Sequence, residues 1–167
     1  MNQEDRRQET DAFCREEKSA FPDGFLWSAS TSAYQFEGAA AEGGKGPSIQ
    51  DVKENTAGDF RVAMDHYHRY RDDIRLLGEL GLKGYRFSIA WTRIMPHGKG
   101  AVNEEGLAFY RDLIRECRKY NIAPVATIYH DDLPYALYKE GGWKNRATIG
   151  AFEEYCRVLF EHFGDDV

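Results

Sequence analysis

An α/β fold built on a parallel sheet is what this sequence predicts, and three observations predict it. Short apolar runs alternate with longer segments whose apolar residues recur at steps of three and four. The runs are joined through those helical segments, which implies parallel pairing with right-handed crossovers. Links entering the strands are short and links leaving them are long, so the carboxyl end of the sheet carries the extended loops, the functional end of such folds. A doubly wound sheet and a (β/α)8 barrel both satisfy the pattern.

The elements follow in order. Residues 1–19 alternate in charge with little to bury and read as a mobile polar tail, leaving 20–167 as the ordered domain. Phe25–Ala29 is a short, mostly apolar run, expected as a buried strand. Ala63, Tyr67, Tyr70, Ile74 and Leu77 form one helical face, stopped at Gly81. Tyr85–Ile89 is the second strand. Leu107, Tyr110, Ile114 and Cys117 repeat the helical stripe. Asn103 is placed to cap that helix, with Glu104 and Glu105 in its first turn and Arg118 and Lys119 in its last, as the helix dipole favours. Pro124–Tyr129 is the third strand. Phe152, Cys156, Leu159 and Phe163 mark a third helix, with Asn145 as its cap and Gly164 at its end.

Composition narrows the function. A net charge of −6 without a basic stripe argues against nucleic acid. No apolar run approaches the ~18 residues of a membrane span, and residues 1–19 are too polar for a signal peptide. Three widely spaced cysteines argue against a disulfide framework, and a cytoplasmic protein is expected. Aromatics reach 14%, which reads first as core.

Four side chains fall where strands end. Gln35 follows the first strand, Arg86 lies in the second, Trp91 stands at the second's carboxyl end, and His130 follows the third. A glutamine amide bridges neighbouring hydroxyls, a histidine donates to another, and tryptophan offers a flat wall to a pyranose. An arginine in a strand is costly unless it meets an anion. Each type also has an ordinary structural use, Trp91 as core above all. Gly43-Gly44-Lys45-Gly46 stands too far from its strand for a phosphate loop and reads as a flexible turn. His66 and His68, two apart on a helix, point roughly 200° apart and cannot share a metal ion. One is expected to be interfacial and the other solvated.

These residues sit in familiar strings. Phe21-Pro22-Asp23-Gly24-Phe25-Leu26-Trp27, continuing through Ser30-Thr31-Ser32-Ala33-Tyr34-Gln35-Phe36-Glu37-Gly38, resembles the amino-terminal signature of glycoside hydrolase family 1. Asp65–Tyr70, Tyr85–Ile94, Tyr129–Pro134 and Gly141-Gly142-Trp143 reinforce it. The resemblance implies a (β/α)8 TIM barrel, of which 20–167 is the amino-terminal part, about three βα units. It implies retaining hydrolysis of β-glycosides, β-glucoside or 6-phospho-β-glucoside, with no cofactor and no metal. Gln35 and His130 would bind sugar hydroxyls, Arg86 would hold the nucleophilic glutamate, and Trp91 would support the pocket floor. Glu37 is expected to be structural. Ser28 stands where the family commonly has glycine, and Asp131 where it often has an aromatic. Both catalytic carboxylates are expected beyond Val167, so the isolated chain is expected to be inactive and to self-associate through open sheet edges. A non-catalytic sugar- or partner-binding module is the rival expectation.

Overall fold

The computed structural model describes residues 21–53 and 60–167. The expectation of a polar tail at 1–19 lies outside these residues. The elements are β1 (Ser28–Ser30), α1 (Ala33–Phe36), α2 (Ile49–Val52), α3 (His66–Glu79), β2 (Gly84–Ser88), α4 (Trp91–Ile94), α5 (Glu104–Lys119), β3 (Ala123–Thr127), α6 (Tyr135–Lys139), a 3-10 turn (Gly142–Lys144) and α7 (Ala147–Phe163). The strands form one parallel sheet in the order β1-β2-β3.

Register places Ser30, Arg86 and Val125 in one row, with Ser88 and Thr127 in the next. Side chains alternate across a strand, so these residues share one face of the sheet. Tyr85 and Phe87 take the other face and are buried against the helices, while Arg86 between them is exposed. The core therefore lies on the helical side. Tyr70 and Ile74 of α3, Leu107, Tyr110, Ile114 and Cys117 of α5, and Tyr155, Leu159 and Phe163 of α7 close over β2. Each large apolar side chain buried there contributes about 2 kcal/mol.

Local signals account for most boundaries. Asn103 caps α5, its Oδ1 accepting from the Glu105 N–H at 3.3 Å while its Nδ2 donates to the carbonyls of Gly43 and Arg93 at 2.7 and 2.9 Å. Gly81, at φ +79°, ends α3: its N–H donates to the Gly78 carbonyl and that of Leu82 to the Leu77 carbonyl, the paired closure a left-handed residue permits.

Several expectations change. β1 is displaced: it spans Ser28–Ser30, and Phe25 and Trp27 before it are 43% and 52% exposed rather than buried. Their rings pack on Phe21 and on each other. β3 stops at Thr127, two residues early. Ala63 is outside α3, because Ala63 and Asp65 both take positive φ and turn the chain before the helix begins. In α7 the buried face is Thr148, Ala151, Tyr155, Val158, Leu159 and Phe163, rotated from the predicted stripe, so Cys156 is only half-buried. Asn145 accepts from the Ala147 N–H at 3.0 Å, although the residue at the cap position is Arg146. Gly164 closes that helix with ordinary right-handed φ.

Candidate functional site

A polar cleft of about 160 Å³ opens where the three strands end. β1 and its exit turn supply Ser30, Thr31 and Ser32, and α1 supplies Gln35. β2 supplies Arg86 and Ser88, β3 supplies Thr127, and the loop after β3 supplies His130. The structure thus brings Gln35, Arg86 and His130 to one cavity from positions far apart in sequence.

Each of these is held by a local cause. Thr31 donates its N–H to the Arg86 carbonyl at 2.9 Å, so the turn leaving β1 is bound to β2. The Ala33 N–H, at the start of α1, donates to Ser88 Oγ at 2.7 Å. Ser32 Oγ donates to Gln35 Oε1 at 2.7 Å, and the amide nitrogen meets no partner among the described residues. Arg86 Nε donates to Thr127 Oγ1 at 2.8 Å; among the described residues its terminal guanidinium nitrogens meet no partner. The loop bearing His130 is anchored by Tyr155, whose buried hydroxyl lies 2.8 Å from the Ile128 carbonyl and 3.1 Å from that of Ile89. Burial pushes the Tyr155 pKa well above the ordinary phenol value, so it serves as a donor and not as an acid.

Trp91 is not among the residues lining the cleft. It begins α4, is fully buried, stacks on Tyr155 at 4.9 Å between ring centroids, and meets Tyr129 edge-on at 6.3 Å. Its ring touches the neighbour of His130 from within the core. Glu37 also lies outside the cleft, buried in an ion pair with Arg93 at 3.0 Å and accepting from Tyr110 at 2.5 Å. Tyr110 in turn accepts from the Ala90 N–H at 2.8 Å, so this cluster ties α1 to α4 and α5.

The loop with Gly43-Gly44-Lys45-Gly46 is a packed turn and not a flexible one. Lys45 pairs with Asp51 at 2.7 Å, and a Cβ on Gly46 would stand 2.0 Å from the Pro96 carbonyl oxygen. His66 and His68 diverge as their spacing requires: His66 is buried, and His68 is about half exposed beside Asp65 and Glu42. Those two carboxylates, Asp65 foremost, raise the His68 pKa. Among the described residues no group of three or more His, Cys, Asp or Glu is placed to hold a metal ion, and no helix is long and apolar enough to cross a membrane.

Two features escaped sequence reasoning. Tyr155 sits three residues after Phe152 and four before Leu159, so the helical period contained it. Asp132 is 3% exposed, neither of its oxygens has a partner among the described residues, and burial pushes its carboxyl up to about 7. Nothing in the string Asp131-Asp132 distinguishes the buried acid from the half-buried one.

A parallel sheet with helices over one face, an open opposite face and a polar mouth at its carboxyl ends is the opening segment of a (β/α)8 barrel. The chain belongs to glycosyl hydrolase family 1, whose family model matches residues 17–167. It is 49% identical over 155 residues to the aryl-phospho-β-D-glucosidase BglC of Bacillus subtilis, covering 89% of this chain and 32% of that one. It is 48% identical over 156 residues to β-glucosidase A of Acetivibrio thermocellus, covering 90% and 35%. The family 1 β-glucosidase of Thermotoga maritima superposes with a TM-score of 0.84 at 48% identity, over 88% of this chain and 34% of that one. The same enzyme is known in complex with cyclophellitol. The chain spans about a third of the length of the relatives it matches.

Proposed function

We propose that this chain is the sugar-binding first part of a retaining β-glycosidase. The convergence of Gln35, Arg86 and His130 on one polar cleft at the carboxyl ends of the strands carries the reading. Gln35 and His130 bind hydroxyls of the sugar ring. The free nitrogens of Arg86 hold the nucleophilic carboxylate, and Trp91 stiffens the site through Tyr129. Retaining hydrolysis needs two carboxyl groups roughly 5 Å apart, and none of the described residues lining the cleft is a carboxylate. Both are proposed to come from sequence beyond Val167. Identity to a phospho-β-glucosidase and to β-glucosidases is nearly equal, 49% against 48%, so the proposed substrate class is a β-glucoside with or without a 6-phosphate. A reducing, cytoplasmic setting belongs to the same proposal, with Cys117 and Cys156 both free thiols.

The test uses the chain extended to the length of its relatives, assayed on an aryl β-glucoside and on its 6-phosphate. Gln35→Ala and His130→Ala are each expected to lower kcat/KM on the order of 100-fold, mainly in kcat, because hydroxyl contacts tighten as the ring approaches an oxocarbenium ion. The 167-residue chain alone is expected to turn over neither substrate. Wild-type kinetics in both variants would overturn the sugar site. Turnover by the short chain would overturn the placing of the carboxylates.

A further inference from the structure

On the helical side of the sheet, opposite the cleft, a short line of polar side chains runs through the core. His66, the first residue of α3, has its ring 3% exposed and its Nδ1 2.6 Å from Asp73 Oδ2. Its Nε2 faces the Tyr85 hydroxyl at 3.4 Å, and that hydroxyl lies 2.6 Å from Thr31 Oγ1. Thr31 is the residue at which β1 turns toward the cleft. The same imidazole packs on Phe36, the neighbour of Gln35 in α1, at 4.8 Å between ring centroids. A second tie is the Tyr67 N–H, which donates to the Glu37 carbonyl at 3.0 Å.

We propose that Asp73, His66 and Tyr85 are positioning residues for Gln35, acting through Thr31 and Phe36; this rests on the sugar-binding reading of Gln35. His66 and Tyr85 are buried, at 3% and 1% exposed, and such polar side chains cost more to bury than apolar ones of the same shape, so their retention asks for a reason beyond packing. Packing holds their rings but leaves room beside them. A mostly apolar cavity of about 200 Å³ opens beside them, lined by Thr31, Phe36, His66, Asp73 and Tyr85 among others. With space on one side, hydrogen bonds decide where the Tyr85 hydroxyl and Thr31 stand. Asp73 orients the imidazole through Nδ1, the imidazole meets Tyr85 through Nε2, and Tyr85 holds Thr31. From Thr31 the chain passes directly to Ser32, whose hydroxyl holds the Gln35 amide at 2.7 Å. Loss of any link leaves the sheet and helices intact and loosens the amide.

The experiment is a double-mutant cycle in the extended barrel, assayed well below the melting temperature. Tyr85→Phe is expected to lower kcat/KM about ten-fold, chiefly in kcat, and to add nothing further in a Gln35→Ala background. A structural lesion would instead reduce both backgrounds alike, and additive losses would overturn the proposal. If Tyr85→Phe does not fold, Thr31→Val removes the same hydrogen bond from the other end and decides by the same criterion. As a direct readout, the side-chain amide resonance of Gln35 is expected to shift in Tyr85→Phe and in Asp73→Asn and to stay in place in Tyr70→Phe. An unmoved amide in the first two overturns the proposal. A shifted amide together with a kinetically silent Gln35→Ala would refute the sugar reading and leave the positioning intact.

Discussion

Asp132 shows how much one residue carries that its neighbours in sequence do not reveal. Its carboxyl is enclosed without a partner among the described residues, and burial raises its pKa from 3.8 to about 7. The folded state therefore holds a proton that the unfolded chain gives up at lower pH. The penalty is absent below pH 4, grows as pH rises toward 7, and is complete above it, at most about 4 kcal/mol for a shift of this size. Asp132→Asn is expected to be the more stable protein at pH 8 and little different from wild type at pH 4. Urea midpoints of the two across that range check it, and parallel profiles would remove the buried acid from the account. Burial likewise pushes the Cys117 thiol up to about 12, so alkylation of the folded chain is expected at Cys156 well before Cys117.

Among the elements, two glycines separate backbone conformation from close approach. Gly81 closes α3 at φ +79°, and a Cβ there would meet nothing within 4 Å. Gly81→Ala is therefore expected to cost only the left-handed strain, about 1 kcal/mol. Gly38 has φ +66° as well, but its Cβ would stand 1.9 Å from the Val62 carbonyl oxygen. Gly38→Ala must push apart α1 and the turn that precedes α3, and a loss of several kcal/mol is expected. Thermal melting of the two variants side by side tests this; equal losses would show that the approach of Val62 relaxes freely.

For the whole molecule, what matters is the face that the helices do not cover. β1 and β3 are both edge strands of the three-stranded sheet, and parallel strands are normally buried on both faces. On that face Leu26 and Val125 are each about half exposed. The isolated 167-residue chain is expected to sediment as a concentration-dependent oligomer, while the extended barrel sediments without that dependence. A monodisperse monomer with a sharp cooperative transition would show that the open face needs no cover.

The sequence by itself determined the alternation of strand and helix, the cap at Asn103, the stop at Gly81 and the divergence of His66 from His68. All of these depend on neighbours within a turn or two of the same chain, and residue type and spacing encode such neighbours. Its signature strings, with Gln35, Arg86 and His130 inside them, also led to the family. Their places at the strand ends pointed to one mouth, and tertiary structure alone decided how each is held there and that Trp91 meets the site through Tyr129. It also decided that Glu37 is locked to Arg93 and that Asp132 rather than Asp131 is enclosed. Phe25 and Trp27 read as a buried strand because an apolar run carries no record of whether anything packs against it. Burial and partnership are set by which elements meet in the fold, 73 residues apart in the case of Glu37 and Tyr110, and a local pattern cannot report a contact at that range.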